Sequence, residues 1–311
     1  MNDVRHLATV ADLTDQEVEL VYQIAANTKK QIKQGIRGGQ LAGLVLGMIF
    51  EKPSMRTRLS FEAAMIQAGG YALDIRGSEI GLGKREDARD VARVMSRYVD
   101  VIMIRTFAHE NVVTLAENSE VPVINGLSDY AHPCQALADL FTVREELGSL
   151  EGVNLTFVGD GNNVSRSLAL LCGRLGVKFT LSAPAGHEFD AAFLETAAQA
   201  IGDGPQIAMV GDPAEAVKDA QVIYTDVWAS MGQEAEAAER KKTFRPYQIN
   251  SVLMSHAPKD ALVMHCLPAH RGDEITDDVI DGTNSIIYDQ AENRLHVQKG
   301  LLFFLLGAEG A

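Results

Sequence analysis

The sequence predicts an α/β fold with two doubly wound domains, each built on a mainly parallel sheet flanked by helices. The 311 residues suit two domains, since a domain often contains about 150 residues. Apolar runs recur along the chain and are followed by helical segments, a pattern typical of parallel strands covered on both faces. Polar and charged side chains cluster directly after these runs, where open α/β sheets bind ligands. The predicted strands lie near 43–50, 101–104, 121–124, 155–158, 178–182, 207–210, 221–224, 261–264 and 285–288.

The first predicted helix covers 14–30 and begins at a capping box. In this box Thr14 accepts from the backbone N–H of Glu17, and the Glu17 side chain accepts from the backbone N–H of Thr14. Four apolar side chains at helical spacing form the face that we expect to be buried. They are Val18, Val21, Tyr22 and Ala25.

The first strand leads into the segment SMRTR (54–58), which has the features of a phosphate site. Ser54 is placed to cap the helix that follows. A helix N-terminus presents free N–H groups and the positive end of the helix dipole, which favour an anion. Arg56 and Arg58 beside it indicate a phosphate, and the alternative is a capped helix with two solvated arginines. The apolar face of this helix is formed by Phe61, Met65 and Ala68.

Two further segments help to organise the chain. The domain boundary is predicted in EELGSLEGVN (145–154), where a polar helix end meets a turn that contains glycine and serine. The stretch GQEAEAAERKKTF (232–244) is rich in charged residues and is predicted to be an exposed loop or helix.

Composition and charge exclude several classes of protein. The formal net charge is -14 and the pI about 5.0, so we expect neither nucleic acid nor an anionic membrane as a partner. Cys134, Cys172 and Cys266 form no CxxC pair, which fits a reducing compartment without disulfides or structural zinc. We recognise no targeting peptide, and no apolar run approaches the ~18 residues of a membrane span. A soluble, cytoplasmic protein is therefore expected.

The segment VGDGNNVSRS (158–167) is similar to a dinucleotide-binding fingerprint but lacks two parts of it. Val164 occupies the third glycine position, and the next strand ends without the acidic residue that would bind a ribose. NAD is therefore not expected as a cofactor. Asn162 and Asn163 are interpreted as hydrogen-bonding groups for a polar substrate, or alternatively as turn residues bonded to their own backbone.

Four motifs occur in order along the chain: SMRTR, HPCQ (132–135), DVWASMG (226–232) and HCLP (265–268). Together they resemble the aspartate/ornithine carbamoyltransferase family, and the resemblance covers essentially the whole chain. The first two motifs mark the family, whereas the last two point to ornithine as the acceptor. The resemblance implies transfer of the carbamoyl group of carbamoyl phosphate to an amine, by positioning and charge stabilisation and without a cofactor.

The resemblance also implies how the substrates are divided between the domains. Residues 1–148 would bind carbamoyl phosphate, together with a C-terminal helix, 290–311, that returns to the first domain. Residues 149–289 would bind L-ornithine. The active protein would be a ring of three identical subunits.

By the same resemblance, carbamoyl phosphate is bound mainly by the first two motifs. Arg56 and Arg105 would neutralise the phosphate. The donors to the carbonyl oxygen would be Thr57, Arg105, His132 and Arg294. Gln135 would accept a hydrogen bond from the carbamoyl NH2 group. The full set of residues implied for this substrate is Ser54, Met55, Arg56, Thr57, Arg105, His132, Pro133, Cys134, Gln135, Cys266, Leu267 and Arg294.

The charged groups of ornithine need partners of opposite character. The resemblance assigns Asn163 and Met231 to the α-carboxylate and Asp226 to the α-ammonium. Ser230 and the Cys266–Leu267 turn would surround the reacting δ-amine, with Cys266 as proton acceptor or orienting group. The alternative for Cys266 is a small buried hydrophobe. The catalytic residues would be Arg105, His132 and Cys266.

Neither a metal site nor a catalytic role for Arg58 is expected. His265, Cys266 and His270 lack a fourth ligand at a suitable spacing, so no metal site is expected. Arg58 is predicted to form a structural ion pair. Its expected partner is Glu51 or Glu292. Trp228 is predicted to be a core residue or a loop anchor.

The sequence departs from the family pattern at two positions. Met55 replaces the usual threonine, a change that is tolerable where the backbone N–H binds the phosphate. Gly81 stands where many relatives place a glutamine that reaches a neighbouring subunit. Lys84 is therefore hypothesised to contact carbamoyl phosphate in trans, and the alternative is a solvated loop charge.

Two other functions are weighed against this one. A sister transferase would use putrescine, N-acylornithine or aspartate, but putrescine and N-acylornithine lack the free α-ammonium that Asp226 demands. A catalytically silent paralogue would bind carbamoyl phosphate without reacting, but the chain retains the residues that the reaction needs. These are Arg56, Arg105, His132, Gln135 and Cys266.

Overall fold

The structure is a computed structural model and describes residues 4–83, 85–229 and 236–308. It divides into two compact units. Unit 1 contains Met1–Phe141 and Asn293–Ala311, and unit 2 contains Thr142–Glu292. Over the described ranges, no helix combines the length and the apolar character that crossing a bilayer requires.

The strands are short and pair in parallel. In chain order they are β1 (Val45–Phe50), β2 (Tyr71–Arg76), β3 (Val101–Arg105), β4 (Val123–Leu127), β5 (Asn154–Val158), β6 (Lys178–Ser182), β7 (Ala208–Met209), β8 (Val222–Thr225) and β9 (Leu262–His265). The helices are α1 (Asp15–Lys33), α2 (Met55–Gln67), α3 (Gly77–Ile80), α4 (Ala88–Met95), α5 (His109–Asn118), α6 (Pro133–Leu147), α7 (Asn163–Arg174), α8 (Ala191–Ile201), α9 (Pro213–Ala216), α10 (Ala237–Phe244), α11 (Ser251–Met254), α12 (Asp277–Ile280) and α13 (Ile287–Leu305). Short 3-10 helices cover Val10–Asp12 and Arg245–Tyr247.

Unit 1 is built on a sheet with the strand order β2-β1-β3-β4. The last residue of β1, Phe50, pairs with Arg76 of β2 and with Arg105 of β3. The strand order reverses between β1 and β3, which opens a crevice at their carboxyl ends where α/β proteins bind ligands. The apolar core of this unit includes Ile49, Ile102, Ile104, Val112 and Leu115.

Unit 2 is built on a sheet with the strand order β7-β6-β5-β8-β9. Here the order reverses between β5 and β8, which pair along Leu155↔Val222 to Phe157↔Tyr224. The corresponding crevice therefore lies beyond Val158 and Thr225. The apolar core includes Val158, Ile223, Val263, Ile275 and Ile280.

The local signals of the sequence are confirmed at the first two helices. Thr14 and Glu17 form the predicted capping box of α1. Ser54 caps α2 by accepting from the backbone N–H of Thr57. The predicted apolar faces are buried, namely Val18, Val21, Tyr22 and Ala25 on α1 and Phe61, Met65 and Ala68 beside α2. With two parallel sheets and a C-terminal helix, the predicted fold class is confirmed.

Two predictions about strands are wrong. The strand β2 is absent from the predicted strands. It is an edge strand whose side chains are exposed or only partly buried, so it contains no apolar run. Residues 285–288 are predicted to be a strand, but Ser285 forms only an isolated bridge with Val263, and α13 begins at Ile287. A short apolar run has the same pattern in a buried strand and at the start of a buried helix.

Candidate active site

The segment between β1 and α2 borders the crevice of unit 1. Ser54 Oγ accepts from the Thr57 backbone N–H at 3.3 Å and donates to Thr57 Oγ1 at 3.0 Å. Met55 is the first residue of α2, where a backbone N–H has no acceptor within the helix. Its side chain is 65% exposed, and the helix N-terminus forms with methionine at this position. Arg56 follows in the first turn and is partly buried.

Thr57 is the point at which three elements of unit 1 meet. Its Oγ1 accepts from Arg105 Nη1 at 3.4 Å, at the end of β3, and from Arg294 Nη2 at 2.8 Å, on α13. All three side chains are buried. Ser54 Oγ at 3.0 Å and Arg294 Nη2 at 2.8 Å are the two nearest donors to this oxygen and occupy its two lone pairs, so its own O–H remains to donate to a ligand.

His132 lies among these charges, immediately before α6, and is buried. Burial lowers the pKa of His132 well below 6.5, and the positive charges of Arg294 and Arg105 lower it further. The imidazole is therefore neutral at pH 7 and offers one N–H donor. A neutral donor beside two guanidinium groups suits a carbonyl oxygen on which negative charge develops.

The remaining HPCQ residues open α6. Pro133 is its first residue, a position that needs no N–H donor. Gln135 is buried, and its Nε2 donates to Asp139 Oδ1 at 2.8 Å, whereas no described residue forms a hydrogen bond with its buried Oε1. An unsatisfied buried acceptor suits a ligand N–H. Cys134 has a different character, because burial raises the pKa of its thiol to about 12 and Sγ donates to the Asn125 carbonyl at 3.4 Å.

A hydrogen-bond network that the sequence did not reveal supports the turn before His132. Ser128 Oγ lies 2.8 Å from His109 Nδ1 and accepts from the Ala131 backbone N–H at 3.2 Å. Asn125 Nδ2 also donates to Ser128 Oγ at 3.2 Å. The sequence assigns no role to His109. Its contact to Ser128 crosses between two elements that are far apart in the chain, and no local pattern signals it.

The predicted partners of Arg58 are wrong. Arg58 instead forms ion pairs with Glu62 at 3.4 Å, one helical turn further along α2, and with Asp74 of β2 at 3.9 Å. Glu51 accepts from the Thr106 hydroxyl and from Asn111 Nδ2. The helix geometry favours an i, i+4 pair, so the arginine is satisfied on the surface of its own helix.

Asp226 directly follows β8 at the crevice of unit 2 and is 8% exposed. Its Oδ1 accepts from the Val227 backbone N–H at 2.8 Å and from Cys266 Sγ at 2.9 Å. Its Oδ2 accepts from Asn162 Nδ2 at 3.0 Å. Within the three described ranges, no lysine, arginine or histidine forms an ion pair with Asp226. A buried carboxylate held only by neutral donors attracts a cation that enters the crevice.

The two asparagines after β5 have different positions. Asn162 is the N-cap of α7, and its Oδ1 accepts from the backbone N–H groups of Val164 and Ser165. Its Nδ2 is thereby directed to Asp226, so both the turn role and a role in the site apply to this residue. Asn163 is the first residue of α7. The sequence selected Asn163 and missed the contact of Asn162, because only the cap geometry distinguishes them.

The turn Cys266–Leu267 is held by a buried histidine. His265 ends β9, and its Nδ1 accepts from the Leu267 backbone N–H at 2.8 Å. Its Nε2 lies 3.1 Å from Glu274 Oε1 and therefore carries the proton. Leu267 has φ +56°, a left-handed conformation that is rare for residues other than glycine. His265 and Glu274 thus fix the backbone that presents the Cys266 thiol.

Asp226, His265 and Cys266 place one potential metal-ligating atom each within 4.8 Å of the others. Both nitrogens of His265 are already engaged, one by a backbone N–H and one by Glu274. The Cys266 thiol donates to Asp226. A metal would have to replace these hydrogen bonds, and the arrangement favours a polar network that positions Cys266.

Arg240 joins two loops of unit 2. Its guanidinium donates to the carboxylate of Asp160, after β5, and its Nε donates to the Trp228 carbonyl oxygen at 2.5 Å, after β8. His187 Nδ1 lies 3.5 Å from Asp160 Oδ1. Trp228 is buried, as predicted. The prediction of an exposed segment is wrong at Arg240, which is 7% exposed, because an ion pair compensates its buried charge.

Three predicted site residues lie outside the described residues: Ser230, Met231 and Lys84. Gly81 is described and ends α3 with φ +66°. A Cβ at this position would lie 2.8 Å from Arg85 Cβ, so the backbone itself requires a glycine there. The other predicted residues divide between the units. Cys266 and Leu267 belong to unit 2, and the remaining carbamoyl phosphate residues belong to unit 1.

Two family models match the chain. The model described as "Aspartate/ornithine carbamoyltransferase, carbamoyl-P binding domain" matches residues 5–145. The model described as "Aspartate/ornithine carbamoyltransferase, Asp/Orn binding domain" matches residues 151–305. The matches therefore cover most of both units.

Individual relatives are similar over nearly the whole length. An ornithine carbamoyltransferase of Methanopyrus kandleri is 53% identical over 97% of this chain and 97% of its own. An anabolic ornithine carbamoyltransferase of Pyrococcus furiosus is 51% identical over 97% of this chain and 96% of its own. Among solved structures, the ornithine carbamoyltransferase of Pyrococcus furiosus matches with a TM-score of 0.95 and 50% identity, covering 98% of both chains.

Proposed function

The chain belongs to the aspartate/ornithine carbamoyltransferase family, and from this we infer that it transfers the carbamoyl group of carbamoyl phosphate to L-ornithine. The group is transferred to the side-chain amine, and the products are L-citrulline and phosphate, a step of arginine metabolism. Relatives at about 50% identity are named for this activity, and one of them is named anabolic. The reaction calls for no cofactor.

The observation that supports ornithine most strongly is the environment of Asp226. This buried carboxylate accepts from the Cys266 thiol and from the amide of Asn162. We propose that the α-ammonium of ornithine binds Asp226, with Asn163 and Met231 at the α-carboxylate. The Cys266 thiol then turns towards the δ-amine, with Ser230 and Leu267 beside it. An acceptor without an α-ammonium leaves the carboxylate without a cation, which is unfavourable in a buried site.

Carbamoyl phosphate is proposed to bind in unit 1. The first turn of α2 and Arg56 would hold the phosphate, because a helix N-terminus and a guanidinium group both favour an anion. Thr57, His132 and the guanidinium groups of Arg105 and Arg294 would donate to the carbonyl oxygen. The buried Oε1 of Gln135, which has no hydrogen-bond partner in the described part of the chain, would accept from the carbamoyl NH2.

In the proposed reaction the δ-amine attacks the carbonyl carbon and the phosphate leaves. The developing oxyanion is stabilised by donors that are already in place, so little reorganisation is needed in the transition state. The neutral form of His132 matters here because it donates an N–H without adding a third positive charge to the pocket. Cys266 is proposed to orient the amine through its thiol or, in the thiolate form, to accept a proton from it and become the thiol.

The functional division of the chain follows from these assignments. We propose that residues 1–148, with the helix of 290–311, form the carbamoyl phosphate domain and that residues 149–289 form the ornithine domain. Cys134, Cys172 and Cys266 form no disulfide in the described part of the chain, which supports a reducing compartment, and we propose a cytoplasmic location.

A homotrimer is proposed from an exposed apolar surface of unit 1. Met55, Leu59 and Ile66 lie on one face of α2 and are 65%, 47% and 68% exposed. Tyr71 and Leu73 of the edge strand β2 are 64% and 50% exposed. Contiguous apolar surface beside an unpaired edge strand is typical of an interface. Ile66→Glu is expected to dissociate the trimer in sedimentation experiments, whereas Ile36→Glu, exposed elsewhere in this unit, is not.

The activity is tested with the purified protein and a panel of amines. Citrulline formation from carbamoyl phosphate and L-ornithine is expected, with much slower carbamoylation of putrescine, N-acetylornithine and aspartate. Faster reaction with another amine would support a sister transferase. Tight binding of carbamoyl phosphate without any product would support the silent paralogue.

A further inference from the structure

Unit 1 contains a second polar cavity that shares no residue with the carbamoyl phosphate site. It lies among α1, α2 and α13. The polar side chains around it are Thr28 and Gln31 of α1, Gln40 of the following segment, Gln67 of α2 and Lys299 of α13. All of these except Lys299 are neutral, and among the residues that the structure describes no carboxylate lines the cavity.

Lys299 is the unusual member of this group. The residue is 2% exposed, and its Nζ donates to Gln67 Oε1 at 2.5 Å. In the described part of the chain no carboxylate forms an ion pair with it. Burial, followed by the positive charge of Arg37, lowers the pKa of Lys299 to about 8. The lysine still carries a proton at pH 7, so a buried ammonium lies among neutral polar groups.

We propose that this cavity binds a small monovalent anion of the halide class. An ammonium has three N–H donors, of which one is used by Gln67. A water molecule would satisfy the other donors but not the charge, and a buried charge without a counter-charge is strongly unfavourable. An anion satisfies both, and the amide NH2 group of Gln67, whose oxygen accepts from Lys299, supplies a further neutral donor.

The position of the cavity determines what the anion would do. Gln67 ends α2, the helix that begins at the predicted phosphate loop, and Lys299 lies on α13, the helix that carries Arg294. An anion held by Lys299 therefore joins the two helices that also meet at Thr57. Because it binds the folded protein only, its effect is measurable as a rise in stability.

Bromide is the probe. As potassium bromide is added, an equal concentration of potassium gluconate is left out, so that the ionic strength stays constant. We expect bromide at about ten times its dissociation constant to raise the melting temperature of the full-length protein by about 3 °C. Lys299→Met should abolish this rise in melting temperature, which is called the bromide increment below. Lys29→Met is the matched control, because it removes another buried lysine of unit 1 whose Nζ donates to Asn293 Oδ1 at 2.7 Å outside the cavity. It should retain the increment.

Crystals soaked in bromide provide the second measurement and require only the wild-type protein. An anomalous peak beside Lys299 Nζ is expected. A cavity that holds only water, or a bromide increment of equal size in Lys299→Met, would overturn the proposal. A bromide peak with no effect on the melting temperature would mean an adventitious ion only, and would overturn it as well. If Lys299→Met does not fold, Arg37→Gln, an exposed change, should reduce the increment, and an unchanged increment would count against the proposal.

Discussion

Arg294 Nη2 donates to Thr57 Oγ1 at 2.8 Å, although the two residues are 237 positions apart in the sequence. Arg105 donates to the same oxygen from the end of β3. The Thr57 hydroxyl therefore fixes two buried guanidinium groups while its hydrogen remains available. In the proposed reaction this hydrogen is directed to the carbonyl oxygen of carbamoyl phosphate, where negative charge develops.

The first prediction concerns Thr57→Val, which keeps the shape of the side chain and removes the hydroxyl. Loss of one donor to a developing oxyanion lowers kcat by about 10²–10³-fold, and the affinity for ornithine should change little. Steady-state kinetics with both substrates provide the measurement. Ser60→Ala is the control, because the Ser60 hydroxyl donates within α2, to the Thr57 carbonyl oxygen. An unchanged kcat in Thr57→Val would show that the hydroxyl takes no part in the reaction.

The second prediction concerns the buried pair of Arg240 and Asp160. Arg240→Met leaves Asp160 without its cation and the Trp228 carbonyl without its donor. The free energy of unfolding of unit 2 should fall by about 3 kcal/mol, as expected when one partner of a buried pair is removed. Denaturant unfolding measures this change.

A double variant separates the ion pair from simple loss of packing. Arg240→Met combined with Asp160→Asn should recover part of the lost stability, because the uncompensated charge is gone. Arg245→Met is the matched control, since Arg245 is exposed and donates only to the Gly272 carbonyl. Equal losses in the single and the double variant would mean that the charge of Asp160 is irrelevant.

The third prediction is the pH dependence that His132 imposes on stability. Its pKa in the folded protein is well below the 6.5 of the unfolded chain, because of burial and then the charges of Arg294 and Arg105. The unfolded chain therefore binds more protons between these two values, and the free energy of unfolding falls as the pH drops below about 6.5. His132→Asn should reduce this slope by up to about 1.4 kcal/mol per pH unit. Urea unfolding from pH 5 to 9 measures it, and above pH 8 both proteins should behave in parallel. An identical slope at acid pH in the two proteins would exclude this role.

The sequence predicted those parts of the fold that depend on local patterns. The caps at Thr14 and Ser54 and the apolar faces behind them follow from spacing and residue type alone. The edge strand β2 escaped prediction, since a strand exposed on its faces carries no apolar run. Residues 285–288 were predicted to be a strand because they are apolar, but a buried helix is also apolar at its start, and Ile287 begins α13.

In the candidate site, the sequence did not predict contacts between residues that are far apart in the chain. The family resemblance identified Thr57, Arg105 and Arg294, but only the folded chain shows that the Thr57 hydroxyl accepts from both arginines. Arg240 was missed because a charged residue is exposed unless a distant partner compensates it, and Asp160 is 80 positions away. Both Asn162 and Asn163 were interpreted as polar groups of the site, but the contact of Asn162 to Asp226 was not predicted, because the two side chains are identical and differ only in backbone position.

The central claim is that Asp226 makes ornithine the acceptor by binding its α-ammonium. The most direct test compares kcat/KM for L-ornithine and for 5-aminopentanoate, which keeps the reacting amine and the carboxylate and lacks only the α-ammonium. The wild-type protein should prefer ornithine by at least about 30-fold, the equivalent of about 2 kcal/mol for a buried charge contact. In Asp226→Asn this preference should largely disappear, while the affinity for carbamoyl phosphate, measured by calorimetry, stays unchanged. A variant that keeps the full preference, or loses carbamoyl phosphate affinity to the same extent, would contradict the assignment.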